Sequence, residues 1–299
     1  MHKSVVQYIT GCVFGDNINY PLFAVESINL KDFSDNNTSA FAVYYEEEWL
    51  FCEERPMWSA VAIESARYPD LDKWVVVAMG MGGEVWELFP KQPSERLVNI
   101  PVQTSMTNLT TVDNTIFAIG MGRVCFRREA DGTWVDISAP WPVLDEGIIG
   151  FTGMVGIDLS LIYAVGWFGE IWILSYGTWT KEDSGSNKKF NAVAITDEGV
   201  VYIVGDDGVV FKGRKGMWEP IDVDLDLNLT DVCIHNNEIF VSSNFDVYKL
   251  VDSKLISEFS ELDDAPGTCF KLFSDKKNSL YSIGSYDIYI LTDRWEKIA

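Results

Sequence analysis

Histidine and positive charge are both scarce in this chain. Only His2 and His235 occur in 299 residues. His235 sits beside Asn236-Asn237 in an expected turn, and neither histidine has a companion His or Cys at ligand spacing. A zinc site takes three or four such groups, so no metal and no cofactor is expected. A Ser-His-Asp machine would have to be built on His235 alone. Lys and Arg total 23 against 45 Asp and Glu, a net charge of −22. Nucleic acid is held by Lys and Arg facing its phosphates, so that partner is excluded, and an anionic membrane surface with it. A basic protein is the partner this charge favours.

Also missing are paired cysteines, long apolar runs and helical periodicity. The five cysteines, Cys12, Cys52, Cys125, Cys233 and Cys269, are far apart in apolar, strand-like settings with no C-x-x-C pair. They read as reduced, buried thiols of a cytoplasmic protein. No stretch approaches the length of a transmembrane helix. Ile9-Thr10-Gly11-Cys12 resembles a bacterial lipoprotein cleavage box, but the apolar run before it is short and interrupted by Gln7 and Tyr8. A secretory segment needs a longer one.

What is present is a repeat, clearest over residues 161–221. Ile162-Tyr163-Ala164-Val165-Gly166 leads through Trp167-Phe168-Gly169 to Glu170-Ile171-Trp172, and Thr178-Trp179-Thr180 follows. Val201-Tyr202-Ile203-Val204-Gly205 leads through Asp206-Asp207-Gly208 to Val209-Val210-Phe211, and Met217-Trp218-Glu219 follows. β-Branched and aromatic residues suit a pleated, half-buried surface and Gly suits tight turns, so each copy reads as a hairpin plus one more strand. Aligned on the residue that closes the first strand, the unit recurs at Gly80, Gly120, Gly166, Gly205, Ser243 and Gly284, about 40 residues apart. A weaker copy, residues 41–51, lies one step earlier. A short semi-apolar strand precedes each hairpin, making four strands per unit. This predicts an all-β chain, residues 1–299 forming one β-propeller with seven blades, six being the alternative. Residues 1–30 are strand-like but out of phase, and are expected to complete the first blade or to close the ring, since an unpaired edge invites aggregation. Pro140-Trp141-Pro142 rules out a central strand and marks a surface loop.

In a propeller the turns joining second to third strands emerge on the same face as the connections between blades. On this reading Glu46, Glu47, Glu48, Met81, Trp167, Phe168, Asp206, Asp207, Phe245, Asp246, Tyr286 and Asp287 gather on one face. The connections at 141–146, 222–226 and 258–264 join them there. Turn tips are ordinarily polar, so acids interleaved with large aromatics point to a protein-binding surface, the aromatics giving contact area and the carboxylates steering a basic partner. The plainer reading is a solvated acidic surface with Trp167 or Phe168 folded inward.

Other patterns lead nowhere specific. Asp222-x-Asp224-x-Asp226 matches the start of an EF-hand loop, but Leu227 and Cys233 stand where Gly and Glu are required. Gly80-Met81-Gly82-Gly83 lies inside a hairpin and does not precede a helix, so no phosphate cradle is formed. With 45 acids, paired carboxylates are too common to single out a glycosidase, and spacing leaves that chemistry open.

Glu129-Ala130-Asp131-Gly132-Thr133-Trp134, after the strand 123–127, resembles the Asp-box of sialidase-type repeats. Gly166-x-x-Gly169-x-Ile171 followed by Ser175-Tyr176-Gly177-Thr178-Trp179 resembles the repeats of photosystem-assembly-factor propellers. Both resemblances imply residues that brace blades and do not catalyse, and sialidase activity is not carried over because no arginine cluster can be placed. The strong acidity, the lack of a plausible active site and the decorated face also resemble bacterial immunity proteins of toxin delivery systems. That resemblance implies a non-enzymatic, cytoplasmic monomer that pairs with a basic toxin, a nuclease by expectation, and occludes its cleft. A scaffold or assembly factor, and a glycan-binding propeller, are the alternative readings.

Overall fold

Alternation decides how the strands pack. Along Lys73–Gly80, Val75, Val77 and Met79 point to one side of their sheet, while Val76 and Ala78 point to the other; all five are buried. A strand apolar on both faces must be covered on both faces, and a ring of radially packed sheets does this for every strand. The computed structural model describes residues 5–15, 20–28, 39–51, 58–68, 73–90, 94–141, 147–275 and 278–299. Within them lie seven four-stranded antiparallel sheets: a seven-bladed β-propeller. The blades span residues 5–51, 60–99, 106–136, 151–182, 190–220, 229–257 and 271–297. Seven apolar clusters form, one between each pair of neighbouring blades, the last joining blade 7 to blade 1.

Polar side chains add directional ties between blades. On the inner strands Thr107 Oγ1 donates to the Phe151 carbonyl at 2.6 Å, Thr152 Oγ1 to Phe190 at 2.6 Å, and Asn191 Nδ2 to Leu229 at 2.9 Å. On the outer strands the recurring Trp does the same: Trp179 Nε1 donates to the Ile137 carbonyl at 2.6 Å and Trp218 Nε1 to Glu182 at 2.7 Å. Glu87, fully buried, takes Arg96 of its own blade and Arg128 of the next, and Arg96 continues to the carbonyls of Asp131 and Gly132. The Asp131 carboxylate accepts from the Thr133 amide and hydroxyl, at 2.9 and 2.8 Å, which holds its pKa below the usual range. In the axial channel Lys271 sits 3.1 Å from Asp231. Burial opposes its charge, but Asp231 outweighs that and keeps the ammonium above its ordinary pKa.

The glycines on which the repeat aligns are steric. A Cβ on Gly166 would lie 1.8 Å from the Gly150 carbonyl oxygen, on Gly205 2.1 Å from that of Lys189, and on Gly284 1.8 Å from that of Thr268. Each of these carbonyls belongs to the end of the connection that leads into the inner strand of the same blade.

The first blade is shifted by one strand from the sequence reading. Its strands are β1 (Val5–Phe14), β2 (Tyr20–Ile28), β3 (Ser39–Tyr45) and β4 (Glu48–Phe51), in that order from the axis outward. The hairpin 39–51 is therefore the third and fourth strands. All four strands of blade 7 come from the C-terminal end, so no strand is exchanged where the ring closes. Side chains make the seam, Phe23 against Phe273 and Tyr281 with Val25, Ile283 and Ile288 in the same cluster, and among the described residues one backbone bond joins the two blades, Tyr8 N to Ser285 O at 2.9 Å.

Cys12, Cys125 and Cys269 are buried and Cys233 is partly buried, all as free thiols; burial raises the pKa of the first three. Cys52, His2 and Pro142 lie outside the described residues. His235 ends the inner strand of blade 6, buried, with Nδ1 2.9 Å from Ser274 Oγ of blade 7 and Nε2 accepting from Asn236 at 3.1 Å. Burial lowers its pKa, and the charges of Asp275 and Glu238 offset this only in part. The unfolded chain then binds this proton more readily than the folded one. The histidine's contribution is complete above the unfolded value of about 6.5 and is lost as pH falls through the lower folded value. We expect the urea midpoint of the wild type to drop between pH 7.5 and 5.5 by more than that of His235→Gln. Equal drops would show that this residue carries none of the acid sensitivity.

Candidate partner-binding face

Second-to-third strand turns and blade connections share one end of the ring, and two of the turns are near copies. Trp167–Gly169 and Asp206–Gly208 are single 3-10 turns whose middle residues are left-handed, Phe168 at φ 54° and Asp207 at φ 55°. The preceding glycine closes the strand, and the third residue, Gly169 or Gly208, lies directly under the next connection. Gly208 N donates to the Leu227 carbonyl at 2.8 Å, and a Cβ there would sit 1.7 Å from the Leu225 oxygen. The turn thus projects its middle side chain away from the ring while locking the adjacent connection.

Phe168 is 52 % exposed, whereas Trp167 is half-buried with Lys189 Nζ 4.8 Å from its ring centroid. Phe245 at 73 % and Tyr286 at 55 % also project outward. The acids of the same turns are engaged within the molecule. Asp206 accepts from Asn191 Nδ2 at 2.8 Å, and Asp207 pairs with Lys188, whose pKa is raised chiefly by that hydrogen bond. Asp287 accepts from Gly267 N at 2.9 Å and pairs with Lys297 at 2.6 Å, so it ties a connection and the last strand to its turn. Asp246 is half-buried, with one carboxylate oxygen sealed from solvent and without a hydrogen-bond partner.

Glu46, Glu47 and Glu48 do not belong to this face. Because 39–45 is the third strand of its blade, the Glu46-Glu47 turn joins third to fourth strands and emerges at the opposite end, with Glu48 opening β4. Their acidity was legible in the sequence; the strand count that fixes their end was not.

Met81 on the turn of blade 2 and Trp141 on the connection between blades 3 and 4 are exposed on this face, and so is Ile148 of that connection, which the sequence reading did not single out. The Trp141 ring lies over Gly122, and Phe168 lies beside Gly147. The connection between blades 5 and 6 alternates: Asp222, Asp224 and Asp226 are exposed, while Val223, Leu225 and Leu227 turn inward onto the apolar cluster there. That period-two pattern was the available signal. Glu261, Asp263 and Asp264 are exposed on the next connection. The face therefore has an apolar sector over blades 2–4 and a sector over blades 5–7 in which acids predominate around Phe245 and Tyr286. Residues 142–146 lie outside the described residues.

Beneath the apolar sector, Arg123 and Glu170 form a buried pair between blades 3 and 4, with Arg123 Nε 3.1 Å from both carboxylate oxygens. Arg123 also donates to the Pro140 carbonyl at 3.2 Å and lies over the Trp172 ring at 4.9 Å. Among the described residues no group of three or more His, Cys, Asp or Glu could hold a metal ion, and no helix is long and apolar enough to cross a membrane.

No protein-family model matches the chain. Over 198 residues it is 33 % identical to the immune protein Tsi7 of Pseudomonas aeruginosa, an alignment covering 65 % of this chain and 64 % of that protein. The chain thus spans under two thirds of the length of that curated relative. Among solved structures it superposes on the WD40 propeller domain of Doa1 with a TM-score of 0.66 at 10 % identity, covering 98 % of this chain and 94 % of that one. It also superposes on the computationally designed Ika8 protein with a TM-score of 0.59 at 14 % identity, covering 97 % of each. Identities this low speak to the fold alone.

Proposed function

We propose that this chain is an immunity protein, a non-catalytic cytoplasmic inhibitor that neutralises a cognate toxin by occluding its working surface. The observation that carries this reading is the similarity to Tsi7, 33 % over 198 residues. The net charge of −22 supports a basic toxin, and a nuclease is the basic toxin whose cleft is built to receive phosphates that carboxylates could replace. Contact would be made through the face of the second-to-third turns and blade connections. Phe168, Phe245 and Tyr286 supply area there, and Trp167, Asp206, Asp207, Asp246 and Asp287 hold the turns that present them. Inhibition of this kind is steric and electrostatic and needs no chemistry from the propeller. The partner state is one propeller with one toxin.

Immunity genes lie beside the genes of their toxins, so the test uses the polypeptide encoded next to this chain. Co-expression with it should restore growth to cells that it otherwise kills, and the two should purify as a 1:1 complex. A neighbour that neither harms cells nor binds the propeller would sink the reading. The scaffold alternative would then lead.

A further inference from the structure

We infer that Trp141, Ile148 and Phe168 form a pre-organised apolar anchor on this face, and that its occupant is a basic protein whose cationic patch lies beside an apolar ridge. The inference rests on the immunity reading above and says which side chains hold the toxin. Trp141 and Ile148 stand on the connection between blades 3 and 4, and the turn of blade 4 brings Phe168 beside them. Trp141 lies over Gly122, Gly122 N donates to the Ile149 carbonyl at 3.0 Å, and Phe168 packs beside Gly147. Ile148 stands between those two contacts. The patch runs across the junction of blades 3 and 4 above the Arg123–Glu170 pair.

Phe168 is the most telling member. A bulky residue in the left-handed region is a steric outlier costing about 1–2 kcal/mol, and asparagine and aspartate tolerate it better. The sister turn in blade 5 uses Asp207 for the same geometry, so the fold does not require an aromatic there. Outliers of this kind cluster at binding surfaces, and this one is held outward beside Gly147 of the neighbouring connection. Trp141 is likewise held, its ring over a glycine at φ 71° and its preceding carbonyl bound by Arg123. Exposed aromatics with little freedom left to lose are what hot spots are made of.

Charge selects the occupant. The acidic connections that follow blades 5 and 6 lie on the same face as the anchor, beyond the 183–189 connection, where Lys188 is paired with Asp207; Asp222, Asp224 and Asp226 stand outward on alternate residues. A second copy of this chain would set acids against acids, and an anionic lipid surface would be repelled. A cationic protein is steered toward the acidic sector and docks its apolar ridge on the anchor. The two sectors should then act on different rate constants.

The probe is the purified polypeptide encoded next to this chain's gene, with association and dissociation followed at about 0.05 and 0.5 M NaCl, where screening differs strongly. Trp141→Ala and Phe168→Asn should each speed dissociation by about 30-fold or more, the scale of a hot spot, at both salt concentrations and with association almost unchanged. The Asn substitution relieves the backbone, so its thermal midpoint should equal or exceed the wild type's, which separates lost contact from lost fold. Asp222→Asn/Asp224→Asn/Asp226→Asn should slow association about 10-fold at low salt and hardly at high salt. If the wild type binds but Trp141→Ala and Phe168→Asn leave dissociation within about 2-fold, well under the hot-spot scale, the anchor is elsewhere and this inference falls while the immunity reading stands. If the wild type does not bind at all, both fall.

Discussion

Replacing Arg123 with alanine is expected to lower the unfolding free energy by roughly 3–5 kcal/mol, the cost of leaving one member of a buried ion pair alone. Both side chains are almost wholly enclosed, at 4 % and 2 % exposure, so water cannot take over the lost partner's role. Lys181, 3.1 Å from Glu170, is half-exposed and compensates only in part. The guanidinium fork meets both carboxylate oxygens and the Pro140 carbonyl, so Arg123→Lys should fall between wild type and alanine. Arg123→Met with Glu170→Leu, which removes both charges and keeps the volume, should recover most of the stability. Urea unfolding at pH 7 reads all three. If the double variant were as unstable as Arg123→Ala, the guanidinium's bond to the Pro140 carbonyl and its stacking on Trp172, and not the charge pair, would be the main contribution of Arg123.

The second large effect concerns Gly208. At φ 71° an alanine there costs about 1–2 kcal/mol in backbone conformation alone. Its methyl would also overlap the Leu225 carbonyl and lift the connection 221–228 from blade 5, adding an overpacking cost of about 1–3 kcal/mol. Gly177 supplies the comparison: its φ is 78°, but a Cβ there would meet nothing within 4 Å. Gly177→Ala should show the backbone cost by itself, and Gly208→Ala should exceed it by the steric term. The lifted connection carries Asp222, Asp224 and Asp226, so Gly208→Ala should also slow association with the proposed partner. Equal losses of stability in the two variants would mean that the connection yields without cost.

The repeat could be read from the sequence because the glycines are placed by close backbone approaches. Gly166, Gly205 and Gly284 each lie under a carbonyl of the preceding connection, a constraint that recurs with every blade. Blade 6 breaks the pattern with Ser243, whose Oγ accepts from the amides of Phe245 and Asp246 and so anchors the turn differently. Blade 1 was misphased for a related reason. Its second strand ends at Ile28 with no glycine, and a ten-residue interval separates it from β3, so the hairpin 39–51 resembled a second and third strand. That one-strand slip carried Glu46, Glu47 and Glu48 to the wrong face. The acids of the turns were legible as charge but not as partners. Asp207 meets Lys188 and Asp287 meets Gly267, 19 and 20 residues away on connections whose course only the folded ring defines. The choice of Phe168 over Trp167 as the outward aromatic was likewise invisible, because a left-handed middle residue sends its side chain out and its neighbour in.

The closure of the ring has a mechanical consequence. With no strand shared between blades 7 and 1, the molecule is a linear array of seven units bent until its ends touch. Every other junction is spanned by chain, whereas this one relies on the apolar cluster around Phe23, Tyr281, Ile283 and Ile288 and on the Tyr8–Ser285 bond. Neighbour-only contacts let folding start in any unit and spread outward, and they leave the two terminal units with the lowest local stability. Transient breathing should therefore begin as a split at this seam, opening the ring like a clasp. The apolar patch of Trp141, Ile148 and Phe168 at the junction of blades 3 and 4 lies on the far side of the ring, where such opening disturbs it least.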